Sequence, residues 1–304
     1  MKNIFIDHKS LIFVFLLIFA FTKYGFCDSD NAENNIGDDV VIDSIIIENG
    51  DIFDLNLPEN ENWIFKLANK LHVNTKKHVI MRELLFKEGD LFSEELANES
   101  GRNLRSLPYL FNAQIETTVT DSGRNVVKVT TSDRWTLAGG PTISRNSGQT
   151  TYQLGFEEVN FLGYGQRVSF DYFIREFEEN YFQASFYERR LFGSRYGLNF
   201  YHNGHPEIGD RGFSIIKPLF SLDSKFAYSV SYNDIDRLDK YYSSGSEFAQ
   251  NRYRSKHLGF STVYRFGDYH NKVSIGFTYN YKDIDISDRL IIPSYSFSFP
   301  IDSV

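Results

Sequence analysis

Hydrophobic and polar positions along this chain follow two different periods. The first half is helical in part. Residues 40–47 (VVIDSIII) are a β-branched run that predicts a strand. Trp63, Ile64, Leu67, Ala68 and Leu71 recur at helical spacing and predict an amphipathic helix. Val79, Ile80, Leu84 and Leu85 predict another helix over 79–86, which Glu88-Gly89-Asp90 breaks. Ser93 can cap a third, with Glu94 and Glu95 in its first turn. Leu96, Ser100, Leu104 and Leu107 share one face, and Pro108 ends it. Phe111, Ala113, Ile115, Thr117 and Val119 then alternate as a strand does, a turn follows at 121–124, and 125–131 predicts a second strand. The order is strand, inserted helix, helix, helix, strand, strand: an α+β domain over residues 40–133.

From residue 134 the period is two. Val168, Phe170, Tyr172 and Ile174 alternate with Arg167, Ser169, Asp171 and Arg175; Phe182, Ala184 and Phe186 follow in kind. Tyr228, Val230 and Tyr232 alternate with Ser229, Ser231 and Asn233, and Leu258, Phe260, Tyr264 and Phe266 repeat the pattern. Val273, Ile275, Phe277, Tyr279 and Tyr281 alternate with Lys272, Ser274, Thr278, Asn280 and Lys282. Polar turns at 178–180, 203–204 and 267–268 separate such segments. Each segment can reach about ten residues with one apolar face, the requirement for a membrane-spanning strand. In lipid the backbone must pair fully, so such strands persist only in a barrel. A soluble antiparallel sheet also alternates; the aromatic richness and an export signal favour the barrel. Phe170, Tyr172, Tyr228, Phe260, Phe277 and Tyr279 are then the side chains expected to face lipid.

The export signal is residues 1–27. An apolar run over 11–21 follows Lys2 and Lys9 and is too short to span a bilayer. Cleavage is expected after Cys27, with 28–39 an acidic, Asn-rich, disordered leader. Acylation of Cys27 fits less well, because Phe26 is bulky. Cys27 is the sole cysteine, so neither a disulfide framework nor a thiolate metal site is expected in the mature chain. A net charge of −8 argues against nucleic acid as a partner.

The segments "VIMRELLF", "KEGDLFS", "ELANESGRNLRSL" and "YLFNAQI" agree in order with a POTRA domain, and "NFLGYGQ" (160–166) resembles an early barrel turn of the same proteins. The chain thus resembles the BamA/TamA-type outer-membrane assembly superfamily, in the subset with a single POTRA domain. The resemblance implies a periplasmic POTRA domain over 40–133 and an antiparallel transmembrane β-barrel over 134–304, in the outer membrane of a Gram-negative-type cell. Residues 134–304 give room for about nine or ten of roughly sixteen strands. An incomplete, C-terminally truncated barrel is therefore expected, and the end at 301–304 has no terminal aromatic residue. Trp135 would sit at the membrane interface. Arg211-Gly212-Phe213 matches the family's Arg-Gly-Phe loop triplet but lies too early in the barrel, and reads as coincidence.

The implied function is binding of unfolded outer-membrane or secreted client polypeptides and assistance in their insertion or translocation. Outer-membrane lipid and accessory lipoproteins are the other expected partners. Clients would add a strand along Ala113, Ile115, Thr117 and Val119. The alternative is a structural or adhesive surface protein of the same architecture. No enzyme is expected: the chain has no G-x-S-x-G elbow, phosphate loop or Rossmann glycine run, and no cofactor is implied. His202 and His205, with Glu207 and Asp210 nearby, are read as a solvated loop rather than a metal site, and His72 and His78 as exposed histidines at helix ends.

Overall fold

The computed structural model describes residues 40–55, 57, 62–146, 148–243, 246–267 and 271–290. The expected signal peptide, the leader, the turn at 268 and the C-terminal residues lie outside them.

The first region is a three-stranded sheet with three helices. Strand β1 (Ser44–Gly50) pairs parallel with β3 (Asn125–Asp133), and β2 (Leu110–Val119) pairs antiparallel with β3, giving the order β1-β3-β2. Helices α1 (Trp63–Leu71), α2 (Lys77–Met81) and α3 (Glu94–Arg105) precede β2. The Ser93 side chain caps α3 by accepting from the Leu96 N–H, as the sequence predicts. Ile80, Leu104, Leu110, Val127 and Val129 form the core between the helices and the sheet.

Two elements differ from expectation. Strand β1 begins at Ser44 rather than 40, because Val41 forms only an isolated bridge to Leu91. Helix α2 ends at Met81 rather than near 86. The Arg82 and Leu84 carbonyls, which a continued helix would use internally, accept from the Arg195 guanidinium at 3.0 Å each. The Leu85 N–H goes to Ser100 Oγ. Leu84 and Phe86 remain buried, but from a turn.

The second region is one antiparallel sheet whose nine described strands, β4 to β12, run in sequence order: β4 (Leu137–Asn146), β5 (Gln149–Glu158), β6 (Arg167–Arg175), β7 (Tyr181–Glu188), β8 (Gly197–Asn203), β9 (Ile208–Lys217), β10 (Phe226–Ser243), β11 (Ser246–Gly267) and β12 (Lys272–Leu290). Each described strand pairs antiparallel with its neighbour in sequence, the up-and-down order a barrel wall uses. Strands β10 to β12 are 18, 22 and 19 residues, well beyond the ten expected. Their far halves carry charged cross-strand contacts such as Asp236 with Arg252 and Arg254, which hold the ladder without an apolar signal.

Register gathers the apolar positions onto one face. Phe156, Phe170 and Ala184 are direct neighbours on β5, β6 and β7, and Phe186, Phe200, Phe213 and Tyr232 continue the row to β10. Val230, Phe260 and Tyr279 carry it to β12. The other face is more polar, with Ser169 bonded to Ser185, Gln153 to Asp171, and Ser229 to Ser261, and it also carries the stacked Phe173–Tyr181 pair.

Candidate functional site: an open strand edge and the junction beneath the sheet

Strand β2 is an edge of its sheet: among the described residues it pairs with β3 alone. Of the expected edge residues, Ala113 is buried in the core and Ile115 is half-buried, while Thr117 and Val119 are exposed. The Ala113 carbonyl accepts from Arg105 at 2.9 Å, so the free part of the edge starts beyond it. The opposite edge, β1, is covered at its start. The segment after α2 bonds to the chain at its start, with the Gly89 N–H on the Ile42 carbonyl and the Ile42 N–H on Asp90, and Glu88 takes the Ile45 N–H. An exposed edge with one row of unpaired backbone groups can take up another strand.

At the end of the nine-stranded sheet facing this domain, the hairpin turns after β5, β7 and β9 each touch the domain. Two share one geometry. After β5, Glu158 accepts from the Asn160 N–H, a 3₁₀ turn spans Phe161–Gly163, and the Phe161 N–H bonds the Gln166 carbonyl. After β7, Glu188 accepts from the Arg190 N–H, a 3₁₀ turn spans Leu191–Gly193, and the Leu191 N–H bonds the Tyr196 carbonyl. Leu162 (φ 53°) and Phe192 (φ 52°) are the two described non-glycine residues in left-handed backbone, a conformation that strains an L side chain.

The first turn seats on residues 74–79. Asn160 is buried; its amide donates to Thr75 Oγ1 and accepts from Gly165, and the Gly163 carbonyl accepts from the Lys76 N–H. Gly163 and Gly165 are required here. A Cβ at 163 would meet the Asn74 carbonyl at 2.4 Å, and one at 165 the Tyr109 hydroxyl at 2.6 Å.

The second turn inserts a charge. Arg190 makes a two-pronged ion pair with Glu83, its Nε at 2.8 Å from Oε1 and its Nη2 on Oε2; both side chains are fully buried. Arg189 adds a contact to Glu83 at 3.5 Å, and Glu188 faces Arg82 at 3.4 Å. Burial, and then the neighbouring Arg190 charge, lowers the Arg195 pKa from its ordinary value. The third turn brings Phe220 under the Arg195 guanidinium at 4.3 Å, and Glu99 and Asn103 of α3 bond to the backbone at Leu222 and Phe220.

At the exit of the domain, Asp133 is a buried carboxylate with three donors: His72 Nε2 at 2.9 Å, the Thr75 N–H at 2.6 Å and the Asn49 amide at 2.9 Å. The His72 side chain is therefore buried and paired, not an exposed helix-end histidine. His78 is exposed, its ring 5.7 Å from that of Tyr164. His202, in β8, packs on Phe182 of β7, and His205 Nδ1 accepts two backbone N–H groups. Glu207 pairs with Lys240. Arg211, in β9, is exposed and pairs with Asp234 at 2.8 Å. Among the described residues no cluster of three His, Cys, Asp or Glu side chains could hold a metal ion.

Of the residues expected to face lipid, Phe170 and Tyr172 lie on the apolar face with Phe156 and Leu154. Tyr228, Phe260, Phe277 and Tyr279 lie on it across β10 to β12, while Thr278 and Asn280 are on the polar face.

Of the twin turns only the first stands out in the sequence by resemblance. The shared signal is Glu-x-x followed by two apolar residues and Gly, at 158–163 and again at 188–193.

Residues 72–132 match the family model for POTRA, described as a surface antigen variable number repeat. A curated protein of Treponema pallidum (strain Nichols), named "Putative outer membrane protein assembly factor", is 36% identical over 107 residues. That alignment covers 32% of this chain and 12% of the relative's length. BamA from Haemophilus ducreyi lacking POTRA domains 1–3 superposes with a TM-score of 0.41 at 11% identity, covering 81% of this chain and 56% of that one. CdiB from Acinetobacter baumannii gives 0.40 at 14% identity, with 80% and 46% covered. The matched POTRA region is followed, among the described residues, by the nine-stranded antiparallel sheet. The chain spans only a small part of the length of the curated relative it matches.

Proposed function

We propose that this protein handles client polypeptides at the outer membrane and assists their insertion or translocation. Its sheet lies in lipid with the apolar face outward, and its POTRA domain sits on the periplasmic side. Clients dock as an added strand along the free part of β2, where backbone hydrogen bonds give affinity without strict sequence choice. The observation that carries this reading is the one-sided pairing of β2 beside residues as exposed as Thr117 and Val119. No bond-making chemistry is required, and we read the protein as non-enzymatic. The clients are unfolded outer-membrane or secreted chains, with accessory lipoproteins as further partners.

The experiment is photocrosslinking in the full chain. A benzoylphenylalanine at Thr117 should capture an unfolded barrel polypeptide, whereas the same group at Glu48 on β1 should not. Equal capture at both positions, or none at Thr117, would remove the β2 edge from the mechanism. Depletion tests the wider role. General loss of outer-membrane proteins is expected for an assembly protein, and loss of a single surface activity for the structural or adhesive alternative.

A further inference from the structure

Helix α1 is amphipathic, yet its apolar side does not face the domain. None of its residues is buried. It rests on the domain through its other side: Phe65 packs on Phe53 with ring centroids 4.5 Å apart, and the Asn69 amide donates to the Phe53 carbonyl and accepts from its N–H. Trp63, Ile64, Leu67 and Leu71 form a separate stripe, 70%, 53%, 43% and 67% exposed. Lys66 and Lys70 border that stripe and are exposed. Four large apolar side chains in one row on a nine-residue helix are too many to leave in water without a partner.

The helix also has a fixed address. Its C-cap residue His72 is held by Asp133, four residues before β4, the first strand of the large sheet, begins at Leu137. Lys76, a few residues on, is bonded to the turn after β5. The same end of the sheet exposes Trp135 and the turn residues Leu162 and Phe192. The chain's two tryptophans, Trp63 at the start of α1 and Trp135 just before β4, are both exposed.

We propose that α1 is an interfacial anchor: its Trp63, Ile64, Leu67 and Leu71 stripe enters the leaflet beside the sheet, and Lys66 and Lys70 meet anionic headgroups. The occupant is a lipid surface. Tryptophan favours the membrane–water boundary, and a helix with an apolar stripe bordered by lysines lies in that plane. The positive border stands out in a chain of net charge −8. The inference rests on the proposal that the apolar face of the sheet lies in lipid. It adds that the POTRA domain is held against the membrane and cannot swing freely beneath the barrel, so that the open β2 edge keeps one orientation.

The test uses tryptophan fluorescence in the full chain, reconstituted in vesicles of phosphatidylcholine and phosphatidylglycerol. In the Trp135→Phe variant the sole tryptophan is Trp63. Its emission should shift to the blue, be quenched by brominated acyl chains and be shielded from iodide. Lys66→Glu with Lys70→Glu should reverse this, and so should omitting phosphatidylglycerol in part. A second probe, Phe277→Trp with Trp63→Phe and Trp135→Phe, reports on the sheet. If the probe at 277 is quenched by brominated lipid while Trp63 stays open to iodide, the anchor is wrong and the sheet assignment stands. If Trp63 is shielded from both quenchers, a protein surface covers the stripe and the lipid proposal is overturned. If neither probe senses lipid, the membrane reading itself fails.

Discussion

The POTRA domain and the sheet place their apolar side chains in opposite ways. Every buried hydrophobic residue among those described lies between Ile42 and Val129. In the sheet region the buried side chains are polar: Thr136, Asn160, Glu188, Arg190 and Ser255. There the large apolar groups are the exposed ones, with Leu154 at 63% and Ile275 at 64%. One region hides its apolar surface from water by packing it inside. The other displays a continuous apolar face, which is stable only where the surroundings are apolar too. A single chain thus carries two solvent assignments, and the boundary between them is the ring of turns around Glu83 and Arg190.

The strongest way to break this contrast is to put a charge where the first region keeps its core. Leu104 is fully buried. Leu104→Asp loses its packing, about 2–5 kcal/mol, and adds an unpaired buried carboxylate, which together exceed the stability of a small domain. Hydrogen exchange read by mass spectrometry should show residues 77–129 exposed, with 149–217 still protected. Unchanged protection at Val127 and Val129 would mean that the first core is not what holds the domain.

The boundary comes next. Glu83→Ala leaves Arg190 buried without its partner and should destabilise the junction by about 3–5 kcal/mol, whereas Glu83→Met with Arg190→Met should recover much of that. Urea titration of the reconstituted chain separates the two. If the double variant is no better than the single one, the pair is not the unit that seals the junction.

A smaller effect is expected in the sheet. Phe277→Arg on the apolar face should cost about 2–4 kcal/mol in lipid vesicles, and Thr278→Arg on the polar face close to nothing. Equal costs at 277 and 278 would remove the distinction between the two faces.

Much of this contrast is legible in the sequence, because it is a contrast of period. Helical spacing at Leu96, Ser100 and Leu104 and the Ser93 cap give α3; strict alternation gives the middle of β6, β7 and β10 to β12. What period cannot give is direction. The stripe on α1 is readable, but a moment has no arrow toward the domain, and here it points away. Period also fails where a distant partner decides. Helix α2 stops at Met81 because Arg195, far along the chain, takes two of the carbonyls a longer helix needs. The Glu83–Arg190 pair was invisible for the same reason: Glu83 reads as one more charge in an amphipathic helix until the turn after β7 is folded onto it. The far halves of β10 to β12 escaped notice because charged pairs, not apolar residues, extend them.

The smallest expected effect lies where the two regions touch. Tyr109 is buried beneath Gly165, and its hydroxyl has no hydrogen-bond partner among the described residues. Burial, reinforced by the nearby Glu83 charge, pushes its pKa well above the usual tyrosine value. A buried hydroxyl without a partner gives up its hydration for nothing, so Tyr109→Phe should be neutral or should stabilise the junction by about 1 kcal/mol near neutral pH. The sign of the pH dependence follows from the shift. The folded-state pKa is raised, so the neutral phenol's contribution is fully present below the unfolded value, about 10, and is lost as pH rises through the folded one. Wild-type stability should therefore fall in that alkaline range, and the Phe variant should lack this part of the slope. Paired urea titrations at neutral and alkaline pH measure both. A Phe variant that is clearly weaker at neutral pH would show that the hydroxyl is bonded, and that the seam between the two regions is polar at Tyr109 as it is at Glu83.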